Sequence, residues 1–81
     1  MTLSPEMIRR LENDFTYHRP FGNQPERYEE LRSKAKELAF LIVTSCPESR
    51  ELSVALTNLE QAVFWANASI ARNEKEDETP P

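Results

Sequence analysis

Between Ser49 and Asn73, apolar side chains return at Leu52, Leu56, Leu59, Val63, Ala66 and Ile70. Steps of four, three, four, three and four draw one stripe along an α-helix. No Gly or Pro interrupts the stretch, and at about 1.5 Å per residue the helix is roughly 36 Å long. Val54, Phe64 and Trp65 point away from the stripe and give the same helix a second apolar face. Upstream, Tyr28, Leu31, Ala35, Leu38 and Ile42 mark another helix. The second half of that helix, LAFLIV, is apolar all round and predicts burial on all sides. Nearer the N-terminus, Met7, Leu11 and Phe15 recur at i, i+4, i+8 with Ile8 beside them, the pattern of a short helix.

The boundaries are written in the polar residues between these stripes. Ser4-Pro5-Glu6 reads as an N-cap, a proline at the first helical position and an acid in the first turn. The first helix therefore runs from about Pro5 to about Asp14. Phe15 to Gln24 is a turn-rich connection, because Pro20, Gly22 and Asn23 forbid a continuous helix. Pro25-Glu26 opens the second helix, which should stop near Thr44 or Ser45, ahead of Cys46-Pro47. The short TSCPES connection makes helices two and three an antiparallel hairpin. Helix three should end near Asn73, with Arg72 at the negative end of its dipole. The fold class predicted is all-α: a short N-terminal helix plus a long antiparallel helical hairpin, in one domain over 1–73. Residues 74–81, EKEDETPP, read as an acidic, disordered and dispensable tail.

Length adds a constraint. Eighty-one residues bury a modest core and commonly need disulfides, metal or oligomerisation. Cys46 is the single cysteine, and one His with one Cys supports no metal site. Oligomerisation through the hairpin is what remains, and the surplus apolar face of helix three gives it a reason. With no secretory h-region and no long apolar run, the chain is expected to be soluble, neither membrane-spanning nor exported. A lone reduced cysteine fits the cytosol.

The net charge of −4 is unevenly placed. The tail carries Glu74, Glu76, Asp77 and Glu78 against Lys75, whereas residues 1–36 are slightly basic. Long nucleic acid wants a basic stripe with many phosphate contacts, so DNA is disfavoured as a partner. A small anion needing one or two cations per site is compatible.

Candidate chemistry is confined to a few residues. Tyr17-His18 sits in an unusually aromatic loop and could stack a base and touch a phosphate; the alternative is a loop folded over the hairpin with Tyr17 as its lid. Arg32, Lys34 and Lys36 could bind phosphate or form a solvated face paired with Glu29, Glu30 and Glu37. Trp65, Asn67 and Arg72 could build a second polar pocket, or simply pack. No Ser/His/Asp arrangement, phosphate-cradling glycine loop or convincing carboxylate pair is present, so catalysis is not expected, nor is a cofactor.

Three segments together resemble a known family: FTYHRPFGNQPERYEELR, the KELAFLI run with its SCPESRELS connection, and LTNLEQAVFWANASIARN. Their order and spacing are similar to those of the small phage proteins that act as anti-CBASS cyclic-oligonucleotide sponges. CBASS is a bacterial immune system that signals infection with cyclic nucleotides. The resemblance implies a helical protomer, a hexamer, no catalysis, and sequestration of the messenger in the infected host's cytoplasm. It further implies that cyclic dinucleotides bind between protomers and that cyclic trinucleotides can occupy separate pockets. An aromatic of the N-terminal segment meets the base and a basic residue of the following helix meets phosphate. Tyr17 matches the aromatic, with His18 beside it; Arg32 matches the basic residue, with Lys36 as the alternate. For the second pocket the resemblance implicates Ala66 and Arg72.

The symmetry of such a ligand makes the reading coherent. A cyclic dinucleotide is nearly two-fold symmetric, and a two-fold interface presents the same residues twice. A hexamer with 32 symmetry also has a three-fold axis, which would suit a cyclic trinucleotide. The rival reading is a helical oligomeric adaptor with no nucleotide ligand, which would not need Tyr17-His18 beside a basic helix.

Overall fold

The computed structural model describes residues 3–76. Three helices follow one another: α1 (Pro5–Asp14), α2 (Gln24–Ser45) and α3 (Arg50–Asn73). Each boundary has a local cause. Ser4, in extended conformation, accepts the Met7 amide on its hydroxyl at 3.1 Å, and Pro5 spends no amide at the first helical position. Gly22 takes φ 57°, the left-handed turn that lets the Gln24 amide return to the Phe21 carbonyl at 3.0 Å as α2 begins. Cys46 is extended, as a residue before proline should be, and closes α2. Ser49 caps α3 by accepting the Leu52 amide at 3.1 Å.

α2 and α3 pack against each other as the antiparallel hairpin. The stripe of α3 behaves as its spacing predicts: Leu52, Leu56, Leu59, Val63, Ala66 and Ile70 are all half-buried. On α2 the covered positions are Tyr28, Ala35, Ala39 and Ile42, while Leu31 and Leu38 stay largely exposed. The all-round burial expected of LAFLIV is not met within one chain. Phe40, Leu41 and Val43 face solvent, because a hairpin gives α2 one neighbour and so one covered side. Among the described residues no apolar side chain is fully buried; the one fully buried residue is Gln24. The protomer is a slab measuring 50 × 45 × 13 Å, about one helix thick.

α1 joins this slab by its last turn. Asn13 Nδ2 donates to the Arg72 carbonyl at 2.9 Å, and Asp14 pairs with Arg72 at 3.8 Å. Met7, Ile8 and Leu11 remain exposed. The expected tail begins differently from its composition. Glu74 caps α3 and is held by Arg27 and Gln24, while 77–81 lie outside the described residues.

Candidate functional site

The polar chemistry of the chain converges where the two hairpin helices open away from their tip. Gln24 stands at the centre. Its side-chain oxygen accepts the Phe21 amide at 3.1 Å and its side-chain nitrogen donates to Glu74 Oε1 at 3.1 Å. One buried amide thus ties the aromatic loop, the start of α2 and the end of α3. Arg27, one turn along α2, forks onto both oxygens of Glu74, with Nη1 to Oε2 at 2.7 Å. Arg27 Nε donates to Asn23 Oδ1 at 3.1 Å. The fork, followed by the Gln24 bond, holds the Glu74 carboxyl down at a pKa of about 2, and the same bond raises Arg27.

His18 is set by a second network. Its Nε2 lies 2.7 Å from the Asn13 carbonyl oxygen. A carbonyl can only accept, so Nε2 carries the proton. Asn13 in turn donates to Arg72, whose guanidinium lies 5.9 Å from the centre of the Trp65 ring. The loop ahead of α2 is therefore fastened twice, at His18 through α1 and at Phe21 through Gln24.

Tyr17 stands just ahead of both fasteners, in the turn that the His18–Asn13 bond closes. It is 82% exposed, and its hydroxyl has no partner among the described residues. A loop closed over the hairpin with Tyr17 as its lid does not fit that exposure. Tyr17, His18, Arg19 and Phe21 instead line one wall of a groove of about 550 Å³, with Ala71 and Lys75 opposite. An aromatic face presented this way can take a flat ring by stacking.

The structure brings Tyr17 and His18 together but not Tyr17 and Arg32. Arg32 and Lys36 line a different groove, of about 430 Å³, over Ala35, Leu56, Leu59 and Val63. Arg32 is paired with Glu29, and Lys34 with Glu37 at 3.5 Å. Lys36 makes no ion pair among the described residues. Arg72 lies in a third region with Trp65, Ser69 and Asn73, around a cleft of about 260 Å³. Ala66 is half-buried on the covered stripe and does not line that cleft. Asn67, near the same end of α3, has its side-chain oxygen enclosed without a partner among the described residues. No group of three or more metal-ligating side chains occurs among those residues.

Sequence reasoning missed Asn13, Gln24, Arg27 and Glu74. Nothing local marks them: Gln24 is a polar residue before a proline, and Glu74 is the first acid of an acidic run. Their partners lie 47 to 59 residues away along the chain.

The model of the hairpin domain of the Acb2/Tad1 family matches residues 7–71. That span covers α2 entire, the aromatic loop, most of α1 and α3 almost to its end. No curated protein and no solved structure matches the chain.

Proposed function

The chain belongs to the Acb2/Tad1 family of anti-CBASS cyclic-nucleotide sponges, and from that premise we propose that it sequesters cyclic dinucleotides in the cytosol of the infected bacterium without cleaving them. The observation that carries the reading is Tyr17, an aromatic held open in the turn that the His18–Asn13 bond closes. Such a ring is poised for stacking and costs little to organise when a ligand arrives. Tyr17 stacks on the base, with His18 beside it, and Arg32 or Lys36 meets phosphate.

Because Tyr17 and the Arg32–Lys36 pair line different grooves of one protomer, a site using both is composed by two copies. Assembly is also what the apolar surface asks for. Phe40, Leu41, Phe64 and Trp65 are each at least 60% exposed in the protomer, and among the described residues no apolar side chain is fully covered. We take the assembly to be a hexamer. Its three-fold offers Arg72 and Ala66 to a cyclic trinucleotide.

The test begins with scattering at micromolar concentration, where a mass of about one 9.4 kDa chain overturns the assembly. The protein is then mixed with cyclic di- and trinucleotides, and bound nucleotide is released by heating. Release of intact messenger fits a sponge; an altered nucleotide identifies an enzyme. Tyr17→Ala should cost about 1–3 kcal/mol per stacked base, and a two-fold site loses that twice. Arg32→Ala should cost roughly 1.5–3 kcal/mol per phosphate. Neither should dissolve the assembly. If the parent binds nothing on the panel, the exposed apolar faces instead serve a helical adaptor.

A further inference from the structure

The groove that Tyr17 lines has cations of its own, and they differ from the basic residues that are already paired. Arg27 is committed to Glu74, Arg32 to Glu29, Lys34 to Glu37, and Arg72 to Asp14 and the Trp65 face. Arg19 and Lys75 also border the Tyr17 groove, and neither makes an ion pair among the described residues. Two acids reach the same groove. Glu74 is neutralised by the Arg27 fork, which leaves Glu76 as the one acid there without a paired cation among the described residues.

Among the described residues the charge left over is therefore two cations against one carboxylate, an excess of one positive charge beside one open aromatic ring. A cyclic dinucleotide offers one base and one phosphate per half. We propose that Arg19 and Lys75, from the same protomer as Tyr17, hold the phosphate attached to the nucleoside that Tyr17 stacks, and that Glu76 opposes them and sets the groove's anion affinity. The inference rests on the cyclic-dinucleotide reading and adds to it a phosphate site internal to each protomer.

Placement supports the division of labour. Arg19 follows His18 directly, and His18 is held by the Asn13 carbonyl, so the backbone that carries Arg19 is fixed on one side. Lys75 follows Glu74, which the Arg27 fork and Gln24 hold. Each cation thus extends from an anchored neighbour across the groove, so only its own side chain has to be ordered on binding. Glu76 lies just beyond, where its like charge weakens an incoming phosphate.

The two signs make the proposal testable with the full chain and a cyclic dinucleotide titrated by calorimetry. Arg19→Gln and Lys75→Gln should each weaken binding about tenfold or more, the loss of one charge-assisted bond. Arg19→Lys should recover part of that loss, because the charge is kept while the fork is not. Glu76→Gln should tighten binding several-fold. Damage to folding could not produce weakening and tightening from the same groove, and helicity and assembly mass should stay at the parent's values throughout. A parent that binds while Arg19→Gln and Lys75→Gln bind equally well overturns this inference and leaves the sponge reading standing. Weakening on Glu76→Gln also overturns it. A parent that binds no cyclic dinucleotide overturns both.

Discussion

The two ends of the hairpin are built by opposite means. At the tip, where α2 turns into α3, every hydrogen bond is made by a near neighbour. Thr44 donates to Phe40 and Leu41, Ser49 donates to Pro47, and Leu52 donates to Ser49. At the open end the bonds that matter cross the chain: Asn13 to Arg72, Gln24 to Glu74, Arg27 to Glu74. The polar bonds of the tip call on no distant part of the chain. The open end exists only when three separate stretches have already met. The exposed Tyr17 and its groove lie at that second end. A site whose geometry depends on assembled contacts can hold its ring in place without adding apolar core, and no apolar side chain is fully buried among the described residues.

The sharpest way to break the comparison is to remove the residue at the centre of the open end. Gln24→Leu leaves the Phe21 amide without its acceptor and takes one donor from Glu74. It should cost about 1–3 kcal/mol in urea unfolding at fixed protein concentration, the penalty for orphaning a buried polar group. It should also shift the amide signals of the aromatic loop. An unchanged midpoint would mean that the open end contributes nothing the hairpin needs.

A smaller loss is expected at the tip. Ser49→Ala removes the acceptor for Leu52 and should cost about 1 kcal/mol, the ordinary value of a helix cap. Its effect should stop there, with the Tyr17 loop and cyclic-dinucleotide binding as in the parent. Loop signals that moved with Ser49→Ala would couple the two ends and dissolve the contrast.

The smallest effect concerns acid. Glu74 has its folded pKa held to about 2, below the ordinary 4.5. The sign follows from linkage: a depressed carboxyl contributes stability that is fully present above about pH 4.5 and is lost as the pH falls towards 2. Protection of the Phe21 amide, taken against its intrinsic exchange rate at each pH, should fall in that window in the parent and stay constant in Glu74→Gln. Cutting the chain after Asn73 should reproduce the Glu74→Gln loop, whereas cutting after Glu76 should not. If the two truncations behave alike, the acid response belongs elsewhere.

The amino-acid sequence determined the three helices, nearly to the residue. Their limits are set by groups that act within four positions: Ser4 before Pro5, Gly22 before the start of α2, Cys46 before Pro47, Ser49 before Leu52. The covered stripe of α3 was equally legible, because helical period alone puts Leu52 through Ile70 on one side. So was the oddity of Tyr17-His18 in a loop. Three things were decided only in the tertiary structure. Which α2 residues are covered depends on where α3 crosses, so Ala39 is half-buried and Leu38 is not. Whether Tyr17 closes as a lid or stands open depends on the fastening at His18 and Phe21. That Glu74 is a clasp, not the start of a free tail, depends on Arg27 and Gln24 arriving beside it. The physical reason is the same in each case. Helix propensity and capping are short-range energies readable along the chain, while a polar group's partner is chosen by three-dimensional proximity, and the Glu74 carboxylate meets its guanidinium only after the hairpin has closed.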